Sequence, residues 1–186
     1  MPHKIEVVRL LDAVLPQAAT IGAVNVVRRT ARGALEGDNL DGEGFAVGLE
    51  AAGHALAGRH VYLAGAGGAA VAIAFALAAR GVESLTIGNR TRRTAERLVG
   101  RLHERFPRLT AAVGTGDAHD ADLVVNATSL GMRAGDALPL EVETVDPNAL
   151  AAEVVITPAD TPFLVAARAR GCVTHPGGRC SSRRST

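Results

Sequence analysis

The chain has 186 residues, 47% of them hydrophobic, enough to bury one core or one core with an appendage. Its 20 basic and 19 acidic residues leave a net charge of +1, which gives no reason to expect nucleic acid or an anionic membrane as partner. Only Cys172 and Cys180 occur, with no C-x-x-C and no zinc spacing, so a disulfide framework is disfavoured and a reducing cytoplasm fits.

In chain order, Ile5, Val8, Leu11 and Leu15 recur at helical spacing and predict a short amphipathic helix over 5–15, stopped by Pro16. IGAVNVV, 21–27, is rich in β-branched residues and reads as a strand, and 28–44 carries turn chemistry. A helical pattern resumes from Phe45 to about Leu56. HVYLAGAG (60–67) reads as a strand and GAAVAIAFALAARG (68–81) as a helix closed by Gly81. Its longest apolar run, 69–79, is too short to cross a bilayer, and the N-terminus lacks a signal-peptide pattern. SLTIGN (84–89) is a strand. The helix from Thr91 has Ala95, Leu98, Leu102 and Phe106 as its buried stripe, with Arg93, Arg97, Arg101 and Arg105 on the other side. LTAAV (109–113) and DLVVNAT (122–128) supply further strands. This alternation implies an α/β fold with a doubly wound, Rossmann-type parallel sheet.

Gly65, Gly67 and Ala70 form a G-x-G-x-x-A pattern between a predicted strand and a predicted helix. Gly65 allows the tight turn, Gly67 lets the backbone approach a pyrophosphate, and Ala70 permits close packing of the helix on the sheet. The helix N-terminus then offers unpaired N–H groups to the phosphates. An NAD-specific site would end the next strand with a carboxylate for the ribose 2′-hydroxyl. Here the sequence is Gly88-Asn89-Arg90-Thr91-Arg92-Arg93, and Glu83 lies at the wrong end of the strand. Arginine forks complement a phosphate dianion, so the stretch predicts NADP. Arg90 is the leading candidate, with one of Arg92 and Arg93 expected to be an ordinary solvated helix charge.

Lys4, in the opening MPHKIEVV, would on its own be read as a solvated charge on a frayed end. Seven stretches change that reading: PHK at 2–4, IGAVN at 21–25, GDNLDGEGF at 37–45, GAGGAA at 65–70, NRT at 89–91, NATSLGM at 126–132 and TPFL at 161–164. Together, and in this order, they resemble the shikimate dehydrogenase family, including its shikimate/quinate-like branch. The resemblance implies NADPH-dependent reduction of 3-dehydroshikimate to shikimate, a step of aromatic amino acid biosynthesis. It places catalytic roles on Lys4 and Asp41 and substrate contacts on Asn25 and Asp41. It also implies cofactor contacts from Gly65, Ala66, Gly67, Gly68, Ala69, Asn89, Arg90, Thr91, Arg93, Thr128, Ser129, Val154 and Gly177. The expected division is a remnant of the substrate-binding domain over 1–46, an NADP-binding domain over 47–171 and a disordered tail over 172–186. The partner implied is a small polyol acid, with a homodimer compatible with the family.

Several departures from the family pattern accompany these matches. Family members carry a Ser-x-Ser carboxylate-binding segment before PHK, whereas no Ser occurs here before Ser84. Leu40 stands where the family has Thr, and Ile156 where it often has a substrate-contacting Tyr. Beyond His175-Pro176-Gly177 the chain ends in GRCSSRRST in place of a helix bearing a substrate-binding Gln. These departures predict little or no activity for the chain alone, and keep open a quinate-like preference or a non-catalytic NADP-binding role. The cluster Asp117, His119, Asp120 and Asp122 has metal-ligand chemistry but is expected to be a solvated loop, with no metal. His54, His60 and His103 sit at element ends without evident partners, and His175 is expected to serve a turn.

Overall fold

A computed structural model describes residues 3–4 and 6–178. They form two sheets. The smaller has the order β1-β3-β2. In it β1 (Ala13–Val14) runs parallel to β3 (Leu35–Asp38), and β2 (Val26–Arg29) runs antiparallel to β3. Here the local reading of the sequence needs correction. In place of one helix over 5–15 there is a 3₁₀ turn at Glu6–Leu10, followed by β1.

Pro16 does not stop a helix but opens one, α1 (Pro16–Ile21). Proline lacks an N–H and has a helix-compatible φ, which suits it to the first helical position. Gly22, at φ 76°, ends α1, so the strand expected over 21–27 starts only at Val26. The stretch 28–44 is more than turns. It finishes β2, reverses through a loop and forms β3.

The helix expected from Phe45 begins four residues earlier, as α2 (Asp41–Ala51). Gly42, Gly44 and Gly48 weaken its sequence signal, because glycine is a poor helix former. Gly42 is needed for packing: a Cβ there would lie 2.1 Å from the carbonyl oxygen of Ala72.

The larger sheet has the order β6-β5-β4-β7-β8-β9, with every neighbouring pair parallel. Its strands are β4 (His60–Ala64), β5 (Ser84–Gly88), β6 (Thr110–Val113), β7 (Leu123–Asn126), β8 (Leu150–Glu153) and β9 (Val173–His175). One face carries α3 (Gly68–Ala79) and α4 (Arg92–Arg105), with α2 stacked on α3. The other face buries α5 (Pro162–Ala169) together with Tyr62, Val124, Val142 and Val145. This is the expected doubly wound α/β architecture. Because α3 is sandwiched between the sheet and α2, its residues 70–78 are buried all round, which explains an apolar run without a polar face.

On α4, Ala95, Leu98 and Leu102 are fully buried and Phe106 partly so. Arg101 is not a purely solvated charge: its guanidinium lies 5.4 Å from the centroid of the Phe75 ring and donates to the Thr20 carbonyl, joining α4 to α1. The expected tail over 172–186 also needs correction. Cys172 is buried and β9 pairs with β8, so the sheet continues past residue 171. The remainder of that expected tail, 179–186, lies outside the described residues, as do Met1, Pro2 and Ile5. Among the described residues, no helix is long and apolar enough to cross a membrane.

Candidate active site

Lys4 is held in place by its backbone, whose carbonyl accepts from Val24 N at 2.8 Å. Its ammonium donates to Asp41 Oδ2, and Asn25 Nδ2 donates to Asp41 Oδ1. The 37-residue separation is therefore closed in space. Asn25 is fixed from both sides, because its amide oxygen accepts from Leu40 N at 3.0 Å and its backbone N–H donates to Asp38 O at 3.0 Å. Asn39, fully buried, donates from Nδ2 to Ala23 O at 3.0 Å and accepts at Oδ1 from Asp41 N at 3.1 Å. Asp41 thus starts α2 with both carboxylate oxygens engaged. Lys4 and Asp41 remain partly open, with side chains 21% and 31% exposed, so a bound molecule can reach the ammonium. Leu40 and Ile156, the two departures from the family pattern, are both exposed.

The glycine loop leaves β4 at Gly65, whose φ of 116° is one that L side chains rarely adopt. A Cβ there would lie 2.9 Å from Ala127 O, so the loop sits directly against the segment after β7. Gly67 caps α3 with no side-chain hydrogen bond, and a Cβ at Gly67 or Gly68 would meet nothing within 4 Å. The backbone at the start of α3 is therefore open on the side of Gly67 and Gly68, a geometry suited to phosphate.

At the end of β5, Asn89 Nδ2 donates to Thr91 O at 3.0 Å, shaping the turn that carries Arg90. Arg90 and Arg93 are exposed and make no ion pair among the described residues. Arg92 is engaged by Glu96 on its own helix at 2.9 Å. Thr128 and Ser129 lie in the turn after β7, with Thr128 Oγ1 donating to Asn126 Oδ1 at 2.6 Å. Gly177 packs on the segment after β8, where its Cβ would come 2.7 Å from Val154 C, so Val154 and Gly177 are brought together.

This parallel sheet, glycine loop and Lys4–Asp41–Asn25 cluster can be set beside known proteins. A sequence model described as shikimate / quinate 5-dehydrogenase matches residues 49–132. A shikimate dehydrogenase (NADP(+)) of Moorella thermoacetica is 43% identical over 92% of this chain and 60% of its own length. One of Rubrobacter xylanophilus is 44% identical over 95% of this chain and 64% of its own. Over these spans the chain is similar to shikimate dehydrogenases. A crystal structure of the Thermus thermophilus family member, in complex with NADP(H) and shikimate, superimposes at TM-score 0.86 with 37% identity, covering 97% of this chain and 66% of that one. A 5-ketofructose reductase of Gluconobacter matches at TM-score 0.85 with 36% identity, again covering 97% and 66%. The chain thus spans somewhat less than two thirds of the length of the relatives it matches.

Some functional candidates escaped the sequence reading. Glu153 is fully buried at the end of β8, accepting from Asn126 Nδ2 at 3.1 Å, Thr161 Oγ1 at 2.9 Å, and Val154 N and Val155 N at 3.1 Å each. Burial pushes its carboxyl above the ordinary carboxylate range, and these donors pull it back. A lone acid inside the apolar run Ala151–Val155 was the available signal.

The histidines have partners too. His60 Nδ1 lies 2.8 Å from Ser84 Oγ, and His54 meets the buried His175 edge-on at 6.2 Å between ring centroids. His119 lies with Nδ1 2.8 Å from Asp117 and Nε2 3.2 Å from Asp120, all on the surface. The hydrogen bond to Asp117 raises the imidazole above its ordinary range and lowers the carboxyl of Asp117. Asp122 is directed instead toward Arg59, at 3.6 Å.

Proposed function

We propose that this chain carries the nucleotide site and the Lys–Asp pair of an NADP-dependent oxidoreductase that interconverts a ring ketone and a secondary alcohol on a polyol acid of the 3-dehydroshikimate/shikimate class. The observation carrying this is that Asp41, which orients Lys4, heads the helix α2 that packs directly on α3, the helix opening at the glycine loop. The residue that orients the proton donor and the helix that opens at the phosphate cradle are therefore packed on one another.

Bound NADPH would supply the hydride. Lys4 would donate a proton to, or stabilise charge on, the substrate oxygen as the carbonyl is reduced, and Asp41 keeps the ammonium aimed. Asn25, with its amide held by Asp41 and Leu40 N, would orient a ring hydroxyl. Gly65–Ala69 and the N-terminus of α3 would hold the pyrophosphate, while Asn89, Arg90, Thr91 and Arg93 would hold the 2′-phosphate. Thr128, Ser129, Val154 and Gly177 would border the remainder of the cofactor. Arg90 and Arg93, exposed and in no ion pair among the described residues, favour NADP over NAD. A buried free thiol at Cys172 fits a reducing cytoplasm.

Substrate choice is open within this class, since solved relatives of similar identity include a quinate dehydrogenase in complex with NAD and the 5-ketofructose reductase. Titration calorimetry of this chain with NADP and NAD tests the cofactor assignment. NADP should bind more tightly, and Arg90→Ala should abolish the preference; equal affinities would overturn it. Activity is tested by following NADPH formation from shikimate and quinate. Two samples are compared: the chain alone, and the chain fused to the portion of the Moorella relative that the match leaves out. The chain alone should be nearly inactive and the fusion active. NADP binding without activity in either would establish the non-catalytic alternative.

A further inference from the structure

We propose that Glu153 is a positioning residue for the nicotinamide half of the cofactor, acting through Asn126 and Thr161 on the turns that follow β7 and β8; this rests on the NADP assignment above. In an open parallel sheet a dinucleotide lies across the carboxyl ends of the strands, at the point where strand order reverses. Here that point is β4, with β5 on one side and β7 and β8 on the other. Arg90, after β5, fixes the adenosine end. The nicotinamide half must then pass over the ends of β7 and β8.

A single buried carboxylate organises both of those ends. Through Oε2, Glu153 accepts from Asn126 Nδ2 and Thr161 Oγ1, and through Oε1 from Val154 N and Val155 N. Asn126 passes the constraint on: its Oδ1 accepts from Thr128 N at 3.0 Å and from Thr128 Oγ1, while its Nδ2 also donates to Leu130 O at 3.0 Å. With those partners, the Asn126 amide cannot turn over to offer oxygen in place of nitrogen. Thr161 completes the link, since a Cβ on Gly131 would lie 3.1 Å from its side chain, so the two turns touch. Gly65 in turn backs onto Ala127 and Thr128, which joins the network to the phosphate loop.

Glu153→Gln replaces one acceptor oxygen by a donor. The Val154 and Val155 N–H groups can keep an oxygen, and Thr161 can rotate its hydroxyl to accept. Asn126 can do neither, so the substitution acts on the 127–131 turn, whereas Arg90, after β5, lies across β4 from it.

The test is titration calorimetry of the full chain with two probes: NADP, and adenosine 2′,5′-bisphosphate, which lacks the nicotinamide half. Wild type should bind NADP more tightly than the bisphosphate. Glu153→Gln should weaken NADP by about tenfold, the equivalent of one lost hydrogen bond to a charged group, and leave the bisphosphate within about twofold. Thr161→Val should show the same selective loss and Thr161→Ser should behave as wild type. If Glu153→Gln fails to fold, the Thr161 pair decides. Equal losses on both probes, no loss on either, or a wild type that binds both equally would overturn the positioning role with the NADP assignment intact. A wild type that binds neither probe would overturn the NADP assignment and, with it, the positioning role.

Discussion

Gly42 of α2 and Ala72 of α3 are packed so closely that a Cβ on Gly42 would lie 2.1 Å from the Ala72 carbonyl oxygen. That atom is backbone in the middle of a fully buried helix, so it cannot swing aside. Gly42→Ala must therefore push α2 outward and carry Asp41, its neighbour, away from the phosphate loop. The expected cost is about 1–3 kcal/mol of overpacking. Thermal unfolding should show Tm lowered by several degrees, and an unchanged Tm would mean that the helix pair is not rigid.

Arg80 fastens the same two helices from the far end. It forms a fork on Glu43, at 2.7 and 3.2 Å, and reaches Glu50 at 3.1 Å. The hydrogen bonds to Glu43 hold its guanidinium above the ordinary range. Both carboxylates are nearly half exposed, so solvent screens the gain. Arg80→Met should cost about 1 kcal/mol at low salt. Urea unfolding should show the difference from wild type shrinking as salt is raised. A difference independent of salt would point to packing of the arginine stem instead.

What could be read from the sequence follows the length of each signal. The strand–glycine loop–helix unit at 60–79 was legible, because a buried strand and an apolar helix flank glycines whose roles are geometric. The elements before Asp41 were not. They are only a few residues each, and Pro16 reads equally as a stop or a start until its partners are known. β8, α5 and β9 went unplaced for a similar reason: a four-residue strand, an eight-residue helix and a three-residue strand carry too little periodicity. Lys4 and Asp41 were visible only through resemblance, since nothing local announces a contact 37 residues apart. Glu153 stayed hidden because the donors that justify a buried carboxylate come from three separate segments.

The Lys4–Asp41 pair predicts a division between chemistry and binding. In the active fusion, Lys4→Met removes the proton donor, and Asp41→Asn removes the charge that aims it. Each should lower turnover by about 10²–10⁴-fold, the usual range for loss of a positioned acid or base. Neither residue lies at the glycine loop, so NADP affinity should stay within about twofold of wild type. Steady-state kinetics paired with nucleotide titration separates the two quantities. Equal loss in both would mean that the pair supports the fold and not the reaction.

Three groups should give stability a pH dependence in separate windows. Burial raises the folded Glu153 carboxyl above its ordinary value of 4.5, so the folded protein binds this proton more tightly than the unfolded chain does. Its contribution is fully present below 4.5 and is lost as pH rises through the raised folded value. His119 behaves in the same sense at higher pH. Its hydrogen bond to Asp117 raises the imidazole above 6.5, so its contribution is present below 6.5 and fades as pH rises through the folded value. Asp117 has the opposite sign, its folded value lying below 3.8, and its contribution is lost only as pH falls through that lower value. Urea midpoints measured across pH for wild type, Glu153→Gln and His119→Asn should separate these effects. Relative to Glu153→Gln, wild type should lose stability as pH climbs from 4.5, while His119→Asn should differ in slope only above 6.5. Parallel curves for wild type and Glu153→Gln would show that the four donors fully offset burial, leaving the carboxylate equally easy to ionise in the folded and unfolded chains.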